Sequence, residues 1–368
     1  MHAHHTSPAP ATQWHPILYP WLIGLSLAVS RQAPTQKGDD TVSTDKDLHT
    51  SPTVTRPLLG AHIRTAGGLA LVPGRAVAIG AEVVQIFNSN PRTWRVQIRS
   101  PEEVASLRED LRSYGLPLYY HSIYLINLAA TDAKLRHRSV GALAEALFLG
   151  ALTEARGVVT HIGSRHDRSF ADAADLVITG ISDAFLQAKE RLATEDMLNP
   201  LPHLLLETSA GSGTTLGARL DELAALLSGL PASGLPASCG VCLDTAHLFA
   251  AGYPIHTEQG LEKTIHELET HGLLGHVRLV HLNDSKTALA SSIDRHENLG
   301  DGRIGLEGLS RFVRHPAFRD VPFVLEVPGL SGHGPDVANM ERAKSMRQGL
   351  PVPPTQPARP AWPPEGPG

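Results

Sequence analysis

Seven short apolar runs in this sequence end on a residue able to hold a metal ion: His62, His121, His161, Glu207, Asp244, His281 and Glu326. One such residue at the end of a run is as well explained by a structural hydrogen bond. Seven are not, because bringing that many polar groups together is costly unless something pairs them, and divalent cations do. Two further spacings sharpen the pattern. In Asp244-Thr245-Ala246-His247 a second ligand type follows just beyond the end of a run. In Asp294-Arg295-His296 the outer two residues share one face of an extended chain, so Asp294 and His296 can chelate one ion. Mixed imidazole and carboxylate ligation without thiolate suits zinc, manganese or iron. Clusters of such ions suit phosphate-ester hydrolysis, where they acidify water and offset the charge growing on phosphoryl oxygens. Spacing alone leaves a multi-metal hydrolase and a metal-dependent isomerase both open.

The elements that must position these residues alternate along the chain. Eight candidate strands lie at 58–62, 83–87, 117–121, 157–161, 203–207, 240–244, 278–281 and 322–326, with helical periods between them. Ser100-Pro101-Glu102-Glu103 is a capping box with proline at the first helical position. Val104, Leu107, Leu111 and Tyr114 then fall on one face, and Gly115 stops the helix. Leu220, Leu223, Leu227 and Leu230 repeat the period later. Eight strand–helix units in this length predict an α/β fold, a (β/α)8 TIM barrel, whose strand C-termini converge on one rim. A doubly wound open sheet is the alternative, but no G-x-G-x-x-G follows the first strand.

The barrel is expected over residues 57–346. Residues 1–56, rich in Pro, Ser, Thr and His, read as a disordered extension, and the Pro-rich segment 347–368 as a disordered tail. The apolar run at 14–29 is interrupted by Pro16 and Pro20, is short for a membrane span, and lacks a basic segment before it. A disordered end, or an initiator assigned upstream, explains it better than a signal peptide, and His2, His4 and His5 read as a flexible end rather than a metal site. Two cysteines cannot build a disulfide framework, which points to a reducing compartment and a cytoplasmic protein. Cys239 and Cys242 form a C-x-x-C spacing, but on a strand they point to opposite faces and read as core residues.

Charge is uninformative about nucleic acid. Of the net −5, the first 56 residues contribute nothing, since Arg31, Lys37, Lys46 and Arg56 balance four aspartates. Arg347 and Arg359 against Glu365 leave the tail at +1, so the core carries −6. Three bound dications would cancel that, making the site rather than the surface electropositive.

Five ordered segments carry a family resemblance: HSIYLINL at 121–128, ETSAGSG at 207–213, GVCLDTAH at 240–247, HLNDSK at 281–286 and DRHENLGDG at 294–302. Over about residues 58–330 the chain resembles the endonuclease IV family of apurinic/apyrimidinic endonucleases. The resemblance implies a TIM barrel with three zinc ions, with manganese or iron in part of the sites. His121, His161 and Glu207 would hold the first ion. Glu207 would bridge to a second, completed by Asp244, His281 and Glu326, and His247, Asp294 and His296 would hold the third. It further implies incision 5′ to abasic sites in double-stranded DNA, leaving a 3′-hydroxyl and a 5′ deoxyribose phosphate, by a monomer associated with the nucleoid during repair.

The segment FNSNPRTW at 87–94 also matches, and the resemblance makes Arg92 and Tyr124 DNA probes at the lesion, with Arg295 a further DNA contact. His62 is expected to sit behind the ligands. Gly67 and Gly68 occupy the first loop, where DNA could approach the backbone closely. The chain departs from the family at Ser209, Ser212, Ala290, Ser292, Arg165 and Val327, none of them a ligand position. These departures bear on DNA contacts and loop shape. Two rivals remain: a metal-dependent sugar isomerase on a similar barrel, which gives no reason for Asp294-Arg295-His296, and a non-catalytic protein that binds abasic sites.

Overall fold

Eight parallel strands close into a barrel in a computed structural model that describes residues 57–230 and 239–354. They are β1 (Leu59–His62), β2 (Val84–Phe87), β3 (Leu118–His121), β4 (Gly157–Thr160), β5 (His203–Glu207), β6 (Cys239–Asp244), β7 (Val277–His281) and β10 (Phe323–Leu325). The barrel closes by pairing β1 with β10, Gly60 opposite Val324. Each strand lies within a residue or two of the run that predicts it, so the expected TIM barrel is the observed fold. Gly60 marks one close approach: a Cβ there would lie 1.7 Å from the carbonyl oxygen of Val83. No larger residue fits.

The barrel interior is layered. Val83, Tyr119, Val159, Leu205, Cys242, Leu279 and Val324 pack into one apolar cluster. Two residues further along six of these strands stand His121, His161, Glu207, Asp244, His281 and Glu326. Side chains alternate between the faces of a strand, so the apolar layer and the polar layer above it face the same interior. Cys239 and Cys242 are both free and buried, as expected of core residues.

Helices cover the outside. α1 is Val72–Ala78, and α2 (Pro101–Ser113) starts as the capping box predicts: the Ser100 hydroxyl accepts from the Glu103 N–H at 3.2 Å, and Val104, Leu107 and Leu111 are buried. Tyr114 departs from that expectation. It caps the helix C-terminus and is exposed. α3 (Ala133–Leu152), α4 (Phe170–Thr194), α5 (Leu220–Gly229), α6 (Thr245–Ala251), α7 (Glu258–Thr270) and α8 (Gly305–Arg314) follow their strands. A two-stranded ribbon, β8 (Asp284–Ser285) with β9 (His296–Glu297), lies in the loop after β7. Among the described residues no helix is long and apolar enough to cross a membrane.

The last helix, α9 (Val337–Gln348), corrects the expected start of the tail at 347. Arg347 belongs to the barrel: its guanidinium donates to both carboxylate oxygens of Glu82 and to the Pro57 carbonyl. The expectations for residues 1–56, including His2, His4 and His5, and for 355–368 fall outside the described residues.

Candidate metal centre

Six strands deliver a member of a candidate ligand group to the same rim, and β1 ends on His62, which belongs to none of the groups. β3, β5, β6 and β7 end on His121, Glu207, Asp244 and His281; His161 and Glu326 are the first residues beyond β4 and β10. His247 lies in the first turn of α6, whose N-terminus is capped by the Asp244 carboxylate accepting from the His247 N–H at 2.9 Å. That cap fixes the spacing between the two side chains. Asp294 and His296 come from the loop after β7, with His296 held in the β8–β9 ribbon.

These residues form three groups, within each of which the ligand atoms lie no more than 4.8 Å apart. The first is His121, His161 and Glu207; the second is Glu207, Asp244, His281 and Glu326. Glu207 belongs to both. Its Oε2 lies 3.1 Å from His121 Nε2 and 3.5 Å from His161 Nδ1, while Oε1 lies 2.9 Å from His281 Nδ1. The third group joins Asp244, His247 and His296. Asp294 reaches the same two imidazoles, at 3.1 Å from His247 Nε2 and 3.2 Å from His296 Nε2. Asp244 thus touches both the second and the third group, a sharing that spacing alone does not reveal.

The imidazoles are oriented for ligation. His121 Nδ1 lies 2.7 Å from the Ser122 carbonyl and His247 Nδ1 lies 2.8 Å from the Thr208 carbonyl. His281 Nε2 lies 2.9 Å from Gln85 Oε1. An oxygen acceptor at one ring nitrogen assigns the proton there and leaves the other nitrogen's lone pair facing the centre. His296 Nε2 is buried and faces two carboxylates, Asp294 at 3.2 Å and Asp244 at 3.6 Å. An imidazole nitrogen facing two carboxylate oxygens is a donor set that a dication fits.

The charges agree. Burial alone would raise the Glu207 carboxyl, but His161, His281 and hydrogen bonds from His121 and His281 outweigh it and hold it well below the usual range. Glu326, half-buried, and Asp294, exposed at the rim, are likewise held low by neighbouring imidazoles despite desolvation. His247 and His281 rise well above the ordinary imidazole range despite burial, the first beside Asp244, Asp294 and Glu207, the second beside Cys242, Glu326 and Glu207. Burial wins at His161 and His62, which are lowered.

His62 lies behind Glu326, its Nδ1 3.2 Å from Oε1. Two residues that the sequence does not single out touch candidate ligands directly. Gln85 donates to Glu326 Oε1 at 2.6 Å, and Asn283 donates to Asp244 Oδ2 at 2.7 Å while accepting from the Glu326 N–H at 2.8 Å. The available signal was a buried-type amide inside an apolar strand, Val83-Val84-Gln85-Ile86-Phe87.

Tyr124 is 50% exposed at the rim and packs edge-on against Phe87 and His121, with ring centres 5.2 and 5.6 Å apart. Its N–H donates to the Pro91 carbonyl at 3.0 Å, which ties the loop carrying exposed Arg92 to the same rim. Arg295 is exposed beside Asp294, whose carbonyl accepts from it at 2.7 Å.

The loop bearing Asp294 and His296 is clamped at several points. The fully buried Asp284 carboxylate accepts from the N–H groups of Ser285, Gly300, Gly302, Ile304 and Gly305. A Cβ on Gly302 would lie 2.5 Å from Asp284 Oδ1, so only glycine lets the backbone come this close. Ala290 and Ser292, two of the departures, adopt φ of +59° and +56° and donate to the Phe249 and Ala250 carbonyls at the end of α6. The Ser212 hydroxyl donates to the Ser292 carbonyl and joins the β5 loop to the β7 loop. Asp284→Ala leaves several buried N–H groups unpaired, and each such group costs about 1–3 kcal/mol. We expect a loss of at least about 3 kcal/mol in urea unfolding, with new protease sensitivity between residues 286 and 303; unchanged unfolding would rule the clamp out.

The fold and this rim define a class. Residues 73–350 match the family model described as xylose isomerase-like TIM barrel. The chain is 36% identical over 280 residues to a probable endonuclease 4 of Halothermothrix orenii, spanning 76% of this chain and 96% of the relative. It is 36% identical over 294 residues to that of Chloroflexus aurantiacus, spanning 80% and 99%. The crystal structure of endonuclease IV from Thermus thermophilus superposes with a TM-score of 0.69 at 35% identity, covering 80% of this chain and all of that one. A D-tagatose 3-epimerase-like protein, at 15% identity and a TM-score of 0.57, shares the fold. The chain belongs to the endonuclease IV family.

Proposed function

We propose that this protein is a DNA-repair endonuclease that hydrolyses the phosphodiester 5′ to abasic sites in duplex DNA, using three divalent ions, zinc foremost. The observation that carries this reading is the convergence of nine imidazole and carboxylate side chains into three overlapping groups on one rim. Bound there, the ions supply Lewis acidity to the scissile phosphate and acidify water.

The chain's own residues do the rest. Glu207, reaching two groups with its two oxygens, fixes their separation and orients the attacking water. His121, His247 and His281 present one ring nitrogen each, with the other tied back to the protein, so little reorganisation accompanies the reaction. Tyr124 and Arg92 flank the opening from adjoining loops, and Arg295 offers a cation next to the third group. An abasic nucleotide has no base to unstack, so turning it into the rim costs little, which favours the lesion over intact DNA. The protein acts as a monomer, in the cytoplasm, on nucleoid DNA.

The sugar-isomerase reading needs only two ions and leaves His247, Asp294 and His296 without a task. Incubation with an end-labelled duplex carrying one abasic analogue tests the proposal. We expect one nick on the 5′ side, its loss with chelator and its return with Zn2+. Binding without nicking in the metal-loaded protein would favour the non-catalytic reading, and aldose–ketose conversion would favour the isomerase.

A further inference from the structure

We infer that Gln85 is a positioning residue for the second metal group, standing on β2 at the level where six other strands carry a candidate ligand. This rests on the metal reading above. Six strands place a His, Glu or Asp two residues beyond the apolar interior layer. On β2 the layer residue is Val83, and two residues on is Gln85, fully buried.

Its carboxamide is divided between two ligands of the same group. Oε1 lies 2.9 Å from His281 Nε2, and Nε2 donates to Glu326 Oε1 at 2.6 Å. Gln85 Nε2 also lies 3.0 Å from His62 Nδ1. With its Nε2–H donated to Gln85, His281 turns Nδ1 toward three carboxylates: Glu207 at 2.9 Å, Glu326 at 3.3 Å and Asp244 at 3.8 Å. One amide therefore selects the tautomer of an imidazole ligand and the orientation of a carboxylate ligand together.

The chemistry requires an amide. A carboxylate at 85 would accept from His281 but face Glu326 with like charge. An apolar residue would satisfy neither partner. Asparagine, one methylene shorter, cannot span both. The first and third groups share no contact with Gln85, so its effect should be confined to one ion of three.

Zinc titration against a chromophoric chelator, on wild type and on Gln85→Leu, reads this directly. Partners behind metal ligands typically set affinity by about 10–100-fold. We expect one of the three Zn2+ ions to weaken by that factor and the other two to keep their affinities. Three ions held with wild-type affinities, or all three weakened alike, would overturn the inference. Wild type that holds no zinc would overturn the metal reading itself, a result separable from the first. Should Gln85→Leu not fold, Gln85→Asn is measured instead, with the same expectation and the same overturning outcomes.

Discussion

Glu207→Gln is expected to abolish incision of abasic duplex while leaving the barrel folded. The side chain is 1% exposed, and Gln is its closest match in shape, so packing against the strand neighbours is kept. What changes is charge and lone-pair count. Oε2 serves the group with His121 and His161, and Oε1 serves the group with His281. Replacing one oxygen by an amide nitrogen turns an acceptor into a donor at the point where two groups meet. It also removes the one anion common to both. Loss of a single preorganised charge-stabilising contact costs about 100–1,000-fold in turnover, and a group shared by two centres should exceed that, at about 1,000-fold or more. Single-turnover incision with unchanged circular dichroism is the measurement. Near-normal turnover would reject the proposed role of the rim.

Much of that rim was legible in the sequence because strand periodicity carries it. An apolar layer and a ligand layer two residues apart recur on six strands, and period two puts both on one face. The local motifs were legible for a similar reason: Asp244 caps the helix that holds His247, and a helix cap is a local event. Features that depend on contacts across the barrel were not legible. Gln85 meets residues 196 and 241 positions away, and nothing in its own neighbourhood says so. Asp284 looks like one more surface acid until the backbone of 300–305 wraps around it. Ala290 and Ser292 hold left-handed backbone conformations that sequence reasoning assigns to glycine, because two amides gain helix-end carbonyls there. The prolines after Arg347 mark it as tail in the sequence, yet its partner Glu82 lies just before β2, 265 positions away.

Metal removal should reverse the sign of the protein's response to alkali. In the metal-free protein, burial opposes charge on His296, but Asp244 and Asp294 prevail and raise it from 6.5 to about 9. A raised imidazole stabilises the fold fully below its unfolded value and loses that contribution as pH climbs through the folded one. The window is therefore pH 6.5 to about 9, and a shift of that size corresponds to about 3 kcal/mol. His247, raised by Asp244, Asp294 and Glu207, and His281, raised by Cys242, Glu326 and Glu207, add to the loss in the same direction. Glu207, Glu326 and Asp294 act oppositely: held low, they stabilise above the ordinary carboxylate range and lose that contribution only in acid. Metal-free protein should thus be most stable between the carboxylate and imidazole ranges and weaken steadily above pH 6.5. In the loaded protein the ions replace those protons. Imidazoles ligate only when neutral, so zinc affinity, and with it stability, rises over the same window. Urea melts of chelator-treated and zinc-loaded protein at pH 6.5 and pH 9 should diverge, the first losing and the second gaining. A metal-free protein that holds or gains stability toward pH 9 would mean that these imidazoles are not charged against their carboxylates, and the electrostatic account of the rim would fail with them.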